Sequence, residues 1–176
     1  MNDKTPLIVV LGPPDAGITT FIQTICQSAV RWIDYHHTEE DGATCNWLGF
    51  EGKLYFESDI LILGELSKHY TYCWDFPLEE KPVLGFIILC DSADYADFRV
   101  ARSMAEVFRV YSPHPYIIAA NKQDHPNAVS ASDLRIIFKV SDEVPVVPCV
   151  ATDRDSVKRV VITLLEHILE SATHDE

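Results

Sequence analysis

Apolar positions in this chain follow two rhythms, and the switching between them predicts the architecture. Nearly unbroken apolar runs stand at Leu7–Leu11, Leu84–Cys90 and Tyr116–Ala120, as expected for parallel strands buried on both faces. Between and after them the spacing becomes helical. Phe21, Ile22 and Ile25 share one face of a helix over Thr19–Ser28, and Phe98, Ala101, Met104, Ala105 and Phe108 form a stripe within Tyr95–Tyr111. The closing helix, Asp153–Glu170, is expected to turn Val157, Val160, Val161, Leu164, Leu165, Ile168 and Leu169 inward. Asn46–Phe56 and Asp59–Leu63 read as an antiparallel pair joined through Glu57 and Ser58. Ser130 and Asp133 are spaced as a capping box for a short helix around Leu134–Phe138. A last strand near Val144–Val150 carries Pro145 and Pro148, which places it at a sheet edge or a strand end. Arg31–Cys45 is polar, holds neither period, and is expected to be a long exposed loop.

Strands and helices therefore alternate along the chain, which predicts an α/β fold with helices on both faces of a mostly parallel sheet. Six strands are expected, one of them antiparallel. The 176 residues, 47% of them hydrophobic, suit a single domain over residues 1–176 with one sizeable core. A formal net charge of −13, without any basic cluster, argues against nucleic acid as a partner. The five cysteines are scattered without metal-type pairing, and no apolar run reaches membrane-spanning length. A cytoplasmic protein with no membrane insertion is expected. His36 and His37 lie near Glu39, Glu40 and Asp41, but no second pair of ligands accompanies them, so a solvated segment is the expectation there.

Chemistry concentrates where strands meet loops. Gly12 to Thr19 has the spacing of a Gly-x-x-x-x-Gly-Lys-Ser/Thr loop, with strand before and helix after, but Ile18 stands where the lysine belongs. In such a loop backbone N–H groups cradle phosphates, the ammonium reaches their outer oxygens, and the hydroxyl residue, here Thr19, holds Mg²⁺. Removing one partner of a desolvated charge pair costs about 2 to 5 kcal/mol, roughly thirtyfold to several-thousandfold in affinity. Asp15 adds a carboxylate beside the same place, a repulsion of about 2 kcal/mol at about 8 Å for an effective dielectric constant near 20. It also occupies a position where glycine is favoured for positive φ and close phosphate approach. The second motif, Asn121-Lys122-Gln123-Asp124, follows the apolar strand at the carboxyl edge, where open α/β sheets bind ligands.

With these residues in order, nearly the whole chain resembles a small Ras-like GTPase of the P-loop NTPase type, closest in character to the prokaryotic branch related to the gliding-motility switch protein. The resemblance implies a Ras-like G domain and a site formed by Gly12, Asp15, Ala16, Gly17, Ile18, Thr19 and Thr20 on the phosphate side. On the base side it implies Asn121, Lys122 and Asp124, with Ala151 and Thr152 from a later loop. In that family the aspartate accepts from the guanine ring N–H and exocyclic amine, the lysine stem packs on the ring, and the backbone at the alanine reads the guanine carbonyl.

The phosphate side departs from the family at a further place. The stretch aligned with the second switch is Gly64-Glu65-Leu66-Ser67-Lys68, with Ser67 where a phosphate-sensing glycine belongs and Lys68 where a water-orienting residue belongs. Lys68 as a replacement ammonium is weighed against an ordinary solvated lysine, which is the simpler reading. Thr44, then Thr38, are candidates for the first switch contact. Phosphoryl transfer depends almost wholly on positioning and charge stabilisation, so these losses predict no catalytic residue. Beyond them Tyr70, Tyr72, Trp74 and Phe76 alternate with more polar residues, an aromatic face suited to a protein partner or to covering the sheet.

Two functions are expected from different classes. The first is a pseudo-GTPase serving as a protein-interaction or regulatory module, with no cofactor and no enzymatic activity. The resemblance suggests a Roadblock-type regulator or an active sister GTPase as its partner. The second is an unconventional switch that binds GDP or GTP with Mg²⁺ weakly and hydrolyses little.

Overall fold

Ile8 and Val10 belong to one hydrophobic cluster and Val9 to another, because successive side chains of a strand point to opposite faces. This holds for the central strand β1, Leu7–Leu11, and explains why its sequence is apolar at every position. The structure is a computed structural model that describes residues 5–26, 31–38, 44–56, 59–66 and 82–174. In chain order its further elements are α1 (Ile18–Ile25), β2 (Arg31–Thr38), β3 (Thr44–Phe56), β4 (Asp59–Leu66) and β5 (Val83–Asp91). They continue with α2 (Tyr95–Tyr111), β6 (Tyr116–Asn121), α3 (Ala131–Phe138), β7 (Val146–Pro148) and α4 (Arg154–His174).

The described strands form one seven-stranded sheet in the order β2-β3-β4-β1-β5-β6-β7. β4, β1, β5, β6 and β7 pair in parallel, whereas β3 pairs antiparallel with both β2 and β4. The mostly parallel α/β architecture with one strand running against the rest is as the sequence predicts, but the sheet has seven strands where six are expected. The extra strand is β2. Arg31–Cys45 is not a long loop, since Arg31 to Thr38 pair in register with Glu51 to Thr44. A neighbouring strand satisfies the backbone donors and acceptors of this polar stretch, so no apolar period is needed to make it a strand.

Two layers of helix cover the sheet. α1 and α4 close one face, with Phe21, Ile22, Ile25, Val157, Val160 and Leu164 packed against Ile8, Val10, Ile87 and Leu89. α2 and α3 close the other, where Phe98, Ala101, Phe108, Leu134 and Phe138 meet Val9, Phe86 and Ile118. The sequence stripes hold except at the end of α4, where Leu169 is 68% exposed. Its neighbour Ile168 still packs against that core, so Leu169 falls on the outer side of the stripe.

Helix ends follow the expected chemistry. Asp94 accepts the Ala96 amide at 2.8 Å at the start of α2. Ser130 accepts the Asp133 amide at 3.1 Å, and its hydroxyl donates to the Asp133 carboxylate at 2.7 Å. β7 lies at the sheet edge as its prolines require. What matters for function is register: Asp91 pairs with Asn121 at the carboxyl ends of β5 and β6, and Ala120 pairs with Pro148 of β7. Three loops thereby leave the same edge side by side.

Candidate functional site

Asn121, 1% exposed, ties those loops together. Its Nδ2 donates to the Ala16 carbonyl at 2.7 Å, and its Oδ1 accepts the Ala151 amide at 2.8 Å. One side chain from β6 thus fixes both the glycine turn after β1 and the loop after β7. Gly17 is what permits the close approach. Its φ is +96°, and a Cβ added there would lie 2.6 Å from Asn121 Nδ2. Gly12 serves packing too, because its added Cβ would meet the Leu89 carbonyl oxygen at 2.2 Å.

The following residue, Lys122, adopts left-handed backbone with φ 59°. Its Nζ lies 2.6 Å from Asp91 Oδ2, and Asp91 Oδ1 accepts the Ala93 amide at 2.9 Å. The strand register that sets Asp91 beside Asn121 makes this ion pair. Gln123 pins the rest of the loop: its Nε2 donates to the Val129 carbonyl at 2.8 Å and its amide to the Cys149 carbonyl at 3.1 Å. Asp124 is exposed, and its carboxylate makes no hydrogen bond or ion pair with a described residue. Behind the ion pair, burial pushes the carboxyl of Asp97 above the ordinary carboxylate range. The neighbouring charges of Asp94 and Asp91 add to this, while a backbone hydrogen bond and Lys122 oppose it.

These loops enclose a cleft of about 360 Å³, within the roughly 300–1,000 Å³ of small-molecule sites. Of the residues expected at the site, Gly17, Thr20, Asn121, Lys122, Asp124, Ala151 and Thr152 line it. Gly12, Asp15, Ala16, Ile18 and Thr19 do not. His125, Pro126 and Val150 also line the cleft. Sequence reasoning passed over these three, although their only signal was adjacency to the two motifs.

The glycine turn itself offers little to an anion. Pro13 and Pro14 have no N–H to donate, and the Ala16 amide donates to the Pro13 carbonyl at 3.2 Å. Asp15 is exposed at φ 65°, a left-handed conformation that aspartate tolerates better than most residues. Ile18 is 7% exposed and belongs to the core beside Phe21 and Ile22. Thr19 is half-buried in the first turn of α1.

The remaining candidates are placed only in part. Gly64, Glu65 and Leu66 run within β4, while Ser67, Lys68, Tyr70, Tyr72, Trp74 and Phe76 lie outside the described residues. Thr38 and Thr44 stand opposite each other at the end of the β2–β3 ladder. Burial pushes the Cys26 and Cys149 thiols up to about 12 and that of Cys90 higher still, so none is primed as a nucleophile. Among the described residues no helix is long and apolar enough to cross a membrane. No protein-family model matches the chain, and a search of curated proteins finds no match.

Proposed function

We propose that the chain is a pseudo-GTPase of the small Ras-like type: a G domain kept as a protein-interaction or regulatory module, with GTP binding and hydrolysis lost or strongly weakened. The observation that carries this reading is Ile18, an apolar side chain packed into the core at the position where a phosphate loop presents an ammonium. Phosphoryl transfer needs charge placed at the outer phosphate, and the turn from Gly12 to Ile18 supplies an aspartate and two prolines instead. Without a sensed γ-phosphate, nucleotide has no differential grip on two states of the protein and drives no switch. The partner suggested by the resemblance is a Roadblock-type regulator or an active sister GTPase, engaged through the aromatic segment Tyr70, Tyr72, Trp74 and Phe76.

The test is direct. Freshly purified protein is denatured, its supernatant is analysed for nucleotides, and thermal unfolding is followed with GDP and GTP in Mg²⁺. Ligand at a hundred times its dissociation constant adds about 2.7 kcal/mol. No co-purified nucleotide, no turnover and no such stabilisation are expected, and steady hydrolysis by the unaltered chain would end the proposal. Ile18→Lys combined with Asp15→Gly is expected to bring nucleotide binding back, and failure of that pair would assign the defect to the backbone of the turn.

A second reading, weak guanine-nucleotide binding with little hydrolysis, is favoured by one observation. The cleft beside Lys122, Asp124 and Thr152 is open and preformed although the phosphate turn is degraded.

A further inference from the structure

The two edges of the sheet are protected to different degrees. β7 closes one side with only three residues, Val146–Pro148, and neither Pro145 nor Pro148 has an N–H to offer a further strand. β2 closes the other side with eight residues, Arg31–Thr38. It contains no proline, glycine or lysine, and its pairing with β3 runs from Arg31 opposite Glu51 to Thr38 opposite Thr44 without a register shift. Short length, proline, lysine and bulges are the devices that keep a sheet edge from pairing further, and β2 has none of them. β3 engages β2 from one side, so every second residue of β2 turns its N–H and C=O to the outer edge, where no described strand meets them.

We infer that β2 pairs antiparallel with β2 of a second copy of this chain, about a two-fold axis through Tyr35, so that the two sheets become one. The inference goes beyond the pseudo-GTPase reading and uses none of it. A two-fold axis normal to the sheet leaves each residue on its own face, so residues set opposite each other are an even number of positions apart and the axis falls on a residue. An axis on Ile33 or on His36 pairs only part of the strand, Arg31 to Tyr35 or Asp34 to Thr38. An axis on Asp34 sets two carboxylates against each other, and like charges directly opposite destabilise a pair of strands. An axis on Tyr35 pairs Trp32 to Thr38 and opposes no like charges. Asp34 then stands opposite His36 on both sides of the axis, a carboxylate set against a hydrogen-bond donor, and tyrosine meets tyrosine at the centre. The net charge of −13 works against self-association at long range, but Arg31 and Asp34 are the only fully charged residues of β2 and they cancel.

Sedimentation equilibrium of the full chain, up to about 500 μM, is expected to show a reversible monomer–dimer equilibrium, and a monomer throughout would overturn the inference. The register is read by disulfide trapping. Opposed Cα atoms lie about 4.5–5.5 Å apart, inside the roughly 4.4–6.8 Å that a disulfide spans. The two copies of position 33, each opposite a His37, would lie about 14 Å apart and out of reach. Under mild oxidation Tyr35→Cys should therefore give at least about fivefold more linked dimer than Ile33→Cys, with the bridge located at position 35 by mass spectrometry of the digest. Trp32→Cys combined with Thr38→Cys reports the same register away from the axis and keeps the test decisive if Tyr35→Cys does not fold. A dimer in which neither bridge forms, or one that Ile33→Cys links as well as Tyr35→Cys does, would place the contact elsewhere and overturn the inference.

Discussion

The loops after β6 and β7 and the turn after β1 leave the same sheet edge, yet they have been treated by opposite chemistry. The first two keep polar groups at the surface and spend buried hydrogen bonds on holding them there: Asn121 braces, Gln123 pins, and Asp124 stays unpaired among the described residues. The turn after β1 has two glycines at a fixed spacing but places Ile18 in the core and offers no side-chain cation. The shape of a binding loop and its electrostatic competence are thus separable. Packing constraints preserve the shape, because Gly12 and Gly17 are needed by Leu89 and Asn121 whether or not a phosphate is ever bound.

Substitutions can break this contrast at either end. The largest effect is expected from Asn121→Ala, which strands the Ala16 carbonyl and the Ala151 amide in a buried setting and should cost about 2–4 kcal/mol in denaturant unfolding. A cost below about 1 kcal/mol would show that the brace is not structural. Ile18→Ala should cost a similar or slightly smaller amount, about 2–3 kcal/mol, if the side chain is core as placed. A neutral outcome would return it to the phosphate side. Gly17→Ala forces a left-handed alanine against Asn121 and is expected to lose about 1–3 kcal/mol.

Two smaller effects sharpen the comparison. Asp97 has a folded-state pKa above its unfolded value, so the folded state binds more protons in the interval between them and stability falls as pH rises through it. That interval starts near pH ~4. Asp97→Asn should flatten the decline, measured as denaturation midpoint against pH, and an unchanged slope would assign the pH dependence elsewhere. Last, Cys90 and Cys149 should react with a thiol reagent only after unfolding, since both are buried and held protonated, and the half-buried Cys26 should react slowly in the folded protein. Fast labelling of Cys90 or Cys149, followed by mass spectrometry of the digested native protein, would contradict that placement.

Much of this was legible before any coordinates. The strands at Leu7–Leu11 and Tyr116–Ala120 announce themselves by apolar runs, and the helix Tyr95–Tyr111 by its stripe, because burial on one or both faces imposes a period on the sequence. Asp15 was readable as a residue at a positive-φ position. β2 was not legible: a polar strand is held by its neighbour's backbone, and backbone hydrogen bonds leave no mark on side-chain composition. Leu169 misled because it sits at the margin of the helix stripe, beside the core-packed Ile168, where periodicity does not say which of two neighbours faces inward.

By itself the sequence determined the alternating α/β order, the spacing of the two loop motifs and an apolar residue rather than a cation at position 18, since each depends on residue identity and local spacing. Only the tertiary structure decided that Asn121 joins three loops, that Asp91 claims the Lys122 ammonium, and that Ile18 faces the core. Those are contacts between residues distant in the chain, fixed by strand register, and a register is chosen by the whole sheet rather than by any one segment of it.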